Sequence, residues 1–288
     1  MFSSRSLRLT QSKAIIGAFL LITGCGGGGG GGGVGGPTLP ANAVTISASN
    51  ALDIANEAAS FASVISDLTA VFYADLKTEP PPSIPDVIEL IIDQVTEERR
   101  RSLSVDTGAN KEIFDYSSEL CFTGTAIADI TETANSARGT ISLTECDAGG
   151  IFVDGGLSFA FDLSLDDSFF DYDAAFDGTL AFDFDDLIVT IVINLRETAN
   201  TGTGAFSTTI DYSSATSSGP AAGYLVTTVQ PIVGNAFALE ITGGLLVVTG
   251  ADNTRLRITV DSADMATVEL DDGLGGGFLF VDTIFITL

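Results

Sequence analysis

Carboxylates dominate the side chains able to do chemistry. Across 288 residues there are 38 Asp and Glu against 12 Lys and Arg, with no His and no Trp. The acids crowd between Asp162 and Asp186. Hard oxygen ligands at that density suit Ca²⁺, and Asp171, Asp173 and Asp177 are the calcium candidates. The match to a calcium loop is partial, because Ala175 takes the third ligand position and Phe182 stands where a bidentate Glu would fall. The reading adopted is Asp on the outer face of strands, where it keeps exposed sheet soluble and blunts edge pairing. No metal and no cofactor is expected. The absence of His removes Ser-His-Asp and Cys-His catalysis and His-ligated zinc. Carboxylate pairs for glycoside hydrolysis are too abundant to single one out. With no Trp and five Tyr, no aromatic sugar platform stands out. The chain is expected not to be an enzyme.

The three cysteines are Cys25, Cys121 and Cys146. Cys25 follows a basic start (Arg5, Arg8, Lys13), an apolar run from Ala14 to Ile22, and the small residues Thr23 and Gly24. Those are the parts of a secretory signal over 1–24. The run falls short of the ~20 apolar residues a membrane-spanning helix needs, and no later segment of that length is free of charge. The aliphatic–small–small–Cys pattern of Ile22-Thr23-Gly24-Cys25 resembles the lipobox of bacterial lipoproteins. That resemblance covers only the signal and Cys25. It implies diacylglycerol on the Cys25 thiol, cleavage before Cys25, and an acyl chain such as palmitate on the new amino end. It also implies handling by the lipoprotein-processing and sorting machinery. Gly26, rather than Asp, after the cysteine implies the outer membrane, facing the periplasm or the cell surface. Several acyl chains anchor stably where one does not. With Cys25 lipidated, Cys121 and Cys146 remain as an even pair in a compartment where thiols oxidise. A disulfide is the favoured reading over two free thiols or a soft metal site.

Gly26 to Gly33 is unbroken glycine, then Val34-Gly35-Gly36-Pro37. Glycine loses the most freedom on ordering, so this reads as a tether rather than a folded element. Lacking a preceding strand, a following helix start and a Lys-Ser/Thr pair, it is not read as a phosphate loop. From Gly26 to Asn42 its root-mean-square reach is roughly 20–25 Å. Without residues 1–24 the chain has 12 − 3 = 9 basic and 38 acidic side chains, a net charge of 9 − 38 = −29. That charge argues against nucleic acid, since the only basic cluster is Arg99-Arg100-Arg101. It also argues against polybasic attraction to anionic lipid, so the tether would hold an acidic domain off an anionic surface.

Two helices are expected before the sheet. Ile54, Ala58, Phe61, Ile65, Leu68 and Phe72 repeat at helical spacing, with Asn50 as amino-terminal cap and Asp53 in the first turn. A second helix is expected from about Pro85 to Arg100, beyond Pro80-Pro81-Pro82. From about Ile113 the apolar period switches to two, as in Phe159, Phe161, Leu163 and Leu165, and about twelve strands follow. Leu187 to Leu195 reads as a central strand covered on both faces, and Ser213 to Ser218 as a polar loop. Three hairpins can be written with register. Gly243-Gly244 would turn the first, setting Ile241 opposite Leu246. Ser262-Ala263-Asp264 would turn the second, setting Leu256 against Leu270, Ile258 against Val268, Arg257 against Glu269 and Arg255 against Asp271. The third would set Cys121 opposite Cys146 on a Thr/Ser face, from strands near Leu120 to Ala128 and Gly139 to Cys146.

The expected fold is α+β, with two amino-terminal helices packed on a large curved antiparallel β-meander, whether half-open trough, barrel or sandwich. The divisions are 1–24 signal, 25–48 lipid-anchored tether, 49–111 helical segment and 112–288 β domain. The expected role is that of a lipid-anchored, non-catalytic envelope lipoprotein, structural or partner-binding. The alternative is a periplasmic carrier of an apolar or lipid ligand inside the curved sheet. The protein or apolar ligand bound is not identified by the sequence.

Overall fold

The structure, a computed structural model, describes residues 36–60, 110–133, 135–166, 169–184, 187–200, 202–217, 223–238, 240–262 and 265–285. Cys25, the helix expected at 85–100 and Arg99 to Arg101 lie outside the described residues. A helix α1 covers residues 51–60 within the described stretch.

Among the described residues, twelve antiparallel strands follow in chain order across one sheet. They are β1 (Asn110–Asp115), β2 (Thr125–Glu132), β3 (Ser136–Asp147), β4 (Phe152–Asp166), β5 (Phe169–Asp183) and β6 (Ile188–Asn200). The rest are β7 (Ala205–Thr216), β8 (Tyr224–Asn235), β9 (Glu240–Thr249), β10 (Arg255–Ser262), β11 (Met265–Asp271) and β12 (Leu279–Phe285). Every strand pairs only with its sequence neighbours, and β1 and β12 stand at the two edges. The sheet is therefore an open meander, neither a closed barrel nor a two-sheet sandwich. A short helix α2 (Ser117–Leu120) sits in the β1–β2 connection.

The period-two pattern explains the layering. In β6, Val189, Ile191, Ile193, Leu195, Glu197 and Ala199 point inward and are buried, while Thr190, Val192 and Asn194 are half-buried. Inward residues from β2 to β12 form one apolar core, and Ile46 and Ala51, Ile54, Ala55 and Ala58 of the α1 region belong to it. The amino-terminal helix thus covers part of the inward face. The outward face carries Asp162, Asp171, Asp173 and other polar side chains, exposed. That is the reverse of a lipid-facing barrel wall, where apolar side chains point out.

Several sequence expectations are corrected. β6 is central, but along its outward face Thr190, Val192 and Asn194 are only half-buried and Ile188, Arg196 and Thr198 are exposed. Gly243-Gly244 makes no turn, since β9 runs straight through both. At Gly244 the neighbouring strand comes close: a Cβ there would lie 3.0 Å from the Ile232 Cα. β8 is irregular here, with register shifts around Gln230 and Val233. The true β8–β9 turn is set by Asn235, whose side-chain oxygen accepts from the Phe237 and Ala238 N–H groups, both at 3.0 Å. Ser213 and Ser214 are not in a loop but inside β7, both buried. Consecutive strand residues face opposite ways, so both faces are covered there. The amino-terminal segment contributes on that end, with Asn42 Nδ2 donating to the Thr216 carbonyl at 2.6 Å.

Asn50 also acts differently from a forward cap. Its Oδ1 accepts from the Ser47 N–H at 2.7 Å, which closes the 47–50 turn, while its carbonyl receives the Ile54 N–H at 3.1 Å. The β10–β11 hairpin matches its expected register in all four pairs. Arg255 and Asp271 are 2.7 Å apart, Arg257 and Glu269 2.6 Å, and both guanidinium groups lie over the Phe278 ring. The segment assigned to the tether becomes ordered before residue 48. Ala43 bridges Gly223, Ala251 donates to the Val44 carbonyl at 2.7 Å, and the Ile46 N–H reaches Thr254 Oγ1 at 2.9 Å.

Candidate functional site

Cys121 and Cys146 are joined as a disulfide across a sequence separation of 25. Their setting differs from a strand pair on a Thr/Ser face. Cys121 lies just after α2, outside any strand, because β2 starts only at Thr125. Cys146 is fully buried on the core side. The period of two breaks at Thr144 and Glu145, which are both exposed. Between Leu143 and Cys146 the pairing of β3 with β4 shifts register, and Glu145 adopts a left-handed φ of 46°. This bulge turns Cys146 from the outward to the inward face. The bond ties α2 and the start of β2 to the end of β3.

The calcium candidates do not converge. Asp171, Asp173 and Asp177 sit on one strand, β5, all of the same parity. Asp171 and Asp177 are six residues apart, roughly 20 Å along an extended strand. Their nearest polar neighbours are amides: Asn200 Nδ2 donates to Asp171 at 2.6 Å, and Asn194 Nδ2 donates to Asp177. No group of three or more His, Cys, Asp or Glu arranged for a metal occurs among the described residues.

Around two of these acids the structure forms a hollow of about 500 Å³. It spans three successive cross-strand rows at one end of β4 to β7. The middle row is Leu163, Tyr172, Ala199 and Phe206, of inward parity and apolar apart from the Tyr hydroxyl. The flanking rows are polar, and carry Asp162, Asp173 and Asp171. Asp162 is paired with Arg138 at 3.0 Å.

One inward row deeper lies a group that the sequence reading passed over. Glu197 is fully buried on β6 between Leu195 and Ala199. The Tyr172 hydroxyl donates to its Oε1. Its Oε2 has no hydrogen-bond partner among the described residues, and neither has Oγ1 of Thr208, the residue directly opposite on β7. Burial pushes the Glu197 carboxyl up to about 8, with the Tyr172 hydrogen bond opposing the shift. Burial and the nearby carboxyl raise Tyr172 as well. At neutral pH the pair is held mainly as neutral acid and neutral phenol, since desolvation penalises the charged forms. Chemically the arrangement stores a proton in an apolar wall. The sequence did hold a signal for it: Glu197 occupies the parity of Val189, Ile191, Ile193 and Leu195.

Comparison with family models, with curated proteins and with solved structures finds no match to this chain.

Proposed function

We propose that this protein is a bacterial outer-membrane lipoprotein, anchored through acyl chains on Cys25, whose β domain has a non-catalytic structural or partner-binding role. In this reading two amino-terminal helices pack on the meander. Its partners are the lipoprotein-processing machinery during export, then the membrane and a ligand or protein of the envelope. The observation that carries it is the Ile22-Thr23-Gly24-Cys25 pattern after a basic and then apolar start, and the way the amino-terminal segment joins the sheet says where such an anchor would attach. Residues 43–46 are hydrogen-bonded to the β7–β8 and β9–β10 connections. A chain acylated at Cys25 would therefore hold the β domain through a short glycine-rich link attached to one end of the sheet.

The alternative is a carrier of an apolar ligand on the inward face. Ile54, Ala55 and Ala58 of α1 already pack into that face, which weighs against a lipid-sized channel running along it. The hollow beside Tyr172 is of small-molecule size, and its apolar middle row is the feature that favours a ligand.

The test is fractionation of bacteria expressing the chain with Cys25→Ser. The anchored reading expects the unaltered protein in the outer-membrane fraction and the variant released as soluble protein. Retention of the variant in the membrane would count against the anchor.

A further inference from the structure

The two ends of the sheet differ in what they expose. Connections alternate between ends along a meander, so those at 116–124, 148–151, 184–187, 217–223, 250–254 and 272–278 share one end. The amino-terminal segment joins at this end, through Gly223, Ala251, Asp252 and Thr254. The same end carries large exposed apolar side chains. Phe122 is 82% exposed, Leu274 88% and Phe280 67%, and Phe152, Phe184 and Ile188 are exposed beside the neighbouring connections. They sit in the links between strands or within the first two positions of a strand. The Leu274 connection lies against the joining point itself. Gly273 packs so tightly on the 251–253 turn that a Cβ there would fall 2.5 Å from the Asp252 carbonyl oxygen, and Asp252 accepts from Thr45 Oγ1 at 2.7 Å. At the opposite end lie Phe237, Met265 and Phe285, together with the acidic hollow.

We infer that the end of the sheet bearing Phe122, Leu274 and Phe280 rests on the bilayer surface, with the acidic hollow pointing away from the membrane. This rests on the reading of Cys25 as the lipid anchor. A lipid bilayer is the occupant that fits. The anchor keeps it within reach of this end at all times, and Phe and Leu side chains gain by entering the headgroup–acyl boundary. The carboxylates at this end, Asp147, Asp154, Asp183, Asp252 and Asp272 among them, set the lipid class. They are repelled by anionic headgroups and tolerate zwitterionic ones. Docking is thus favoured on phosphatidylcholine or phosphatidylethanolamine, while a strongly anionic surface pushes the domain out to the length of its tether.

The chain has no Trp, so a single introduced indole reports its own position. The full-length protein is expressed in bacteria with Leu274→Trp, Phe280→Trp or, at the far end, Phe237→Trp. Each variant is purified from membranes and reconstituted in vesicles of brominated phosphatidylcholine. All three sites are exposed, so folding is expected to be kept, and the melting temperature of each variant checks it. The inference expects several-fold stronger bromine quenching at 274 and 280 than at 237. It also expects that difference to shrink when anionic phosphatidylglycerol is added. Equal quenching at all three sites, or none at any, in protein that carries the acyl mass overturns the inference and leaves the anchor standing. Protein without acyl mass at Cys25 overturns both.

Discussion

Glu197 is the residue whose chemistry is furthest from that of its type. Its unfolded-state value is near 4.5 and its folded value is about 8. Well below 4.5 it is neutral in both states and contributes no pH dependence. As pH rises from there to about 8, the unfolded chain releases the proton while the folded one keeps it, so stability falls with rising pH and levels off above the folded value. Replacing it by Gln removes the ionisation and keeps an oxygen to accept from Tyr172. Relative to its difference near pH 4, where the carboxyl is largely neutral in both states, Glu197→Gln is therefore expected to gain several kcal/mol over the unaltered protein near pH 8. Urea melts at the two pH values check this, and equal gains at both would show that ionisation is not the cause. Asp271 moves the other way. Hydrogen bonds from Arg255 and the Gly273 N–H lower it, so its contribution is present above its ordinary value and is lost as pH falls through the lowered one. Burial of Glu197 was legible in the parity of β6. The hydrogen bond from Tyr172, which opposes the upward shift that burial causes, was not legible, because it depends on a strand register that periodicity does not fix.

At the level of elements, what could be read in advance depended on how many independent signals agreed. The β10–β11 hairpin was legible because apolar pairs on one face and Arg–acid pairs on the other demanded the same register. Gly243-Gly244 misled because two glycines signal a turn as readily as a close strand approach, and the competing Gly234-Asn235 signal at the real turn was passed over. The cysteine pair was legible, but its face was not, since the bulge at Glu145 has no composition mark. The Arg257–Glu269 pair is half-exposed and is expected to contribute only a few tenths of a kcal/mol up to about 1. A double-mutant cycle reads that coupling. The disulfide matters more. On the chain-entropy model a loop of this size contributes roughly 3–4 kcal/mol. Loss of that amount on Cys121→Ala with Cys146→Ala, measured by denaturant unfolding, is the expected result. Gly178 shows a contact of another kind: a Cβ there would lie 2.2 Å from the Gly156 carbonyl oxygen in the paired strand. Gly178→Val is expected to cost several kcal/mol, in the same unfolding measurement.

For the whole molecule, the amino-terminal segment, the apolar connections and the acidic hollow define one axis. β4 and β5 have 15 residues each, so the sheet separates its two ends by roughly 50 Å. An anchor at one end would carry the hollow well clear of the headgroups. The strand count and the dominance of antiparallel pairing were legible from the change of apolar period near Ile113, whereas the choice between open trough, barrel and sandwich was not, because periodicity does not say whether the first and last strands meet. Nor was the asymmetry of the ends. Single exposed Phe residues mean little in a sequence, and only the alternation of connections places Phe122, Phe152, Phe184 and Phe280 at one end against Phe237 and Phe285 at the other. All of this hangs on Cys25, so the most direct measurement is the intact mass of the protein extracted from bacterial membranes, with and without reduction. The account predicts a chain beginning at Cys25, heavier by a diacylglycerol and an amide-linked acyl chain, with Cys121 and Cys146 two hydrogens short until reduced. A chain beginning at Met1 with an unmodified Cys25 thiol would contradict it.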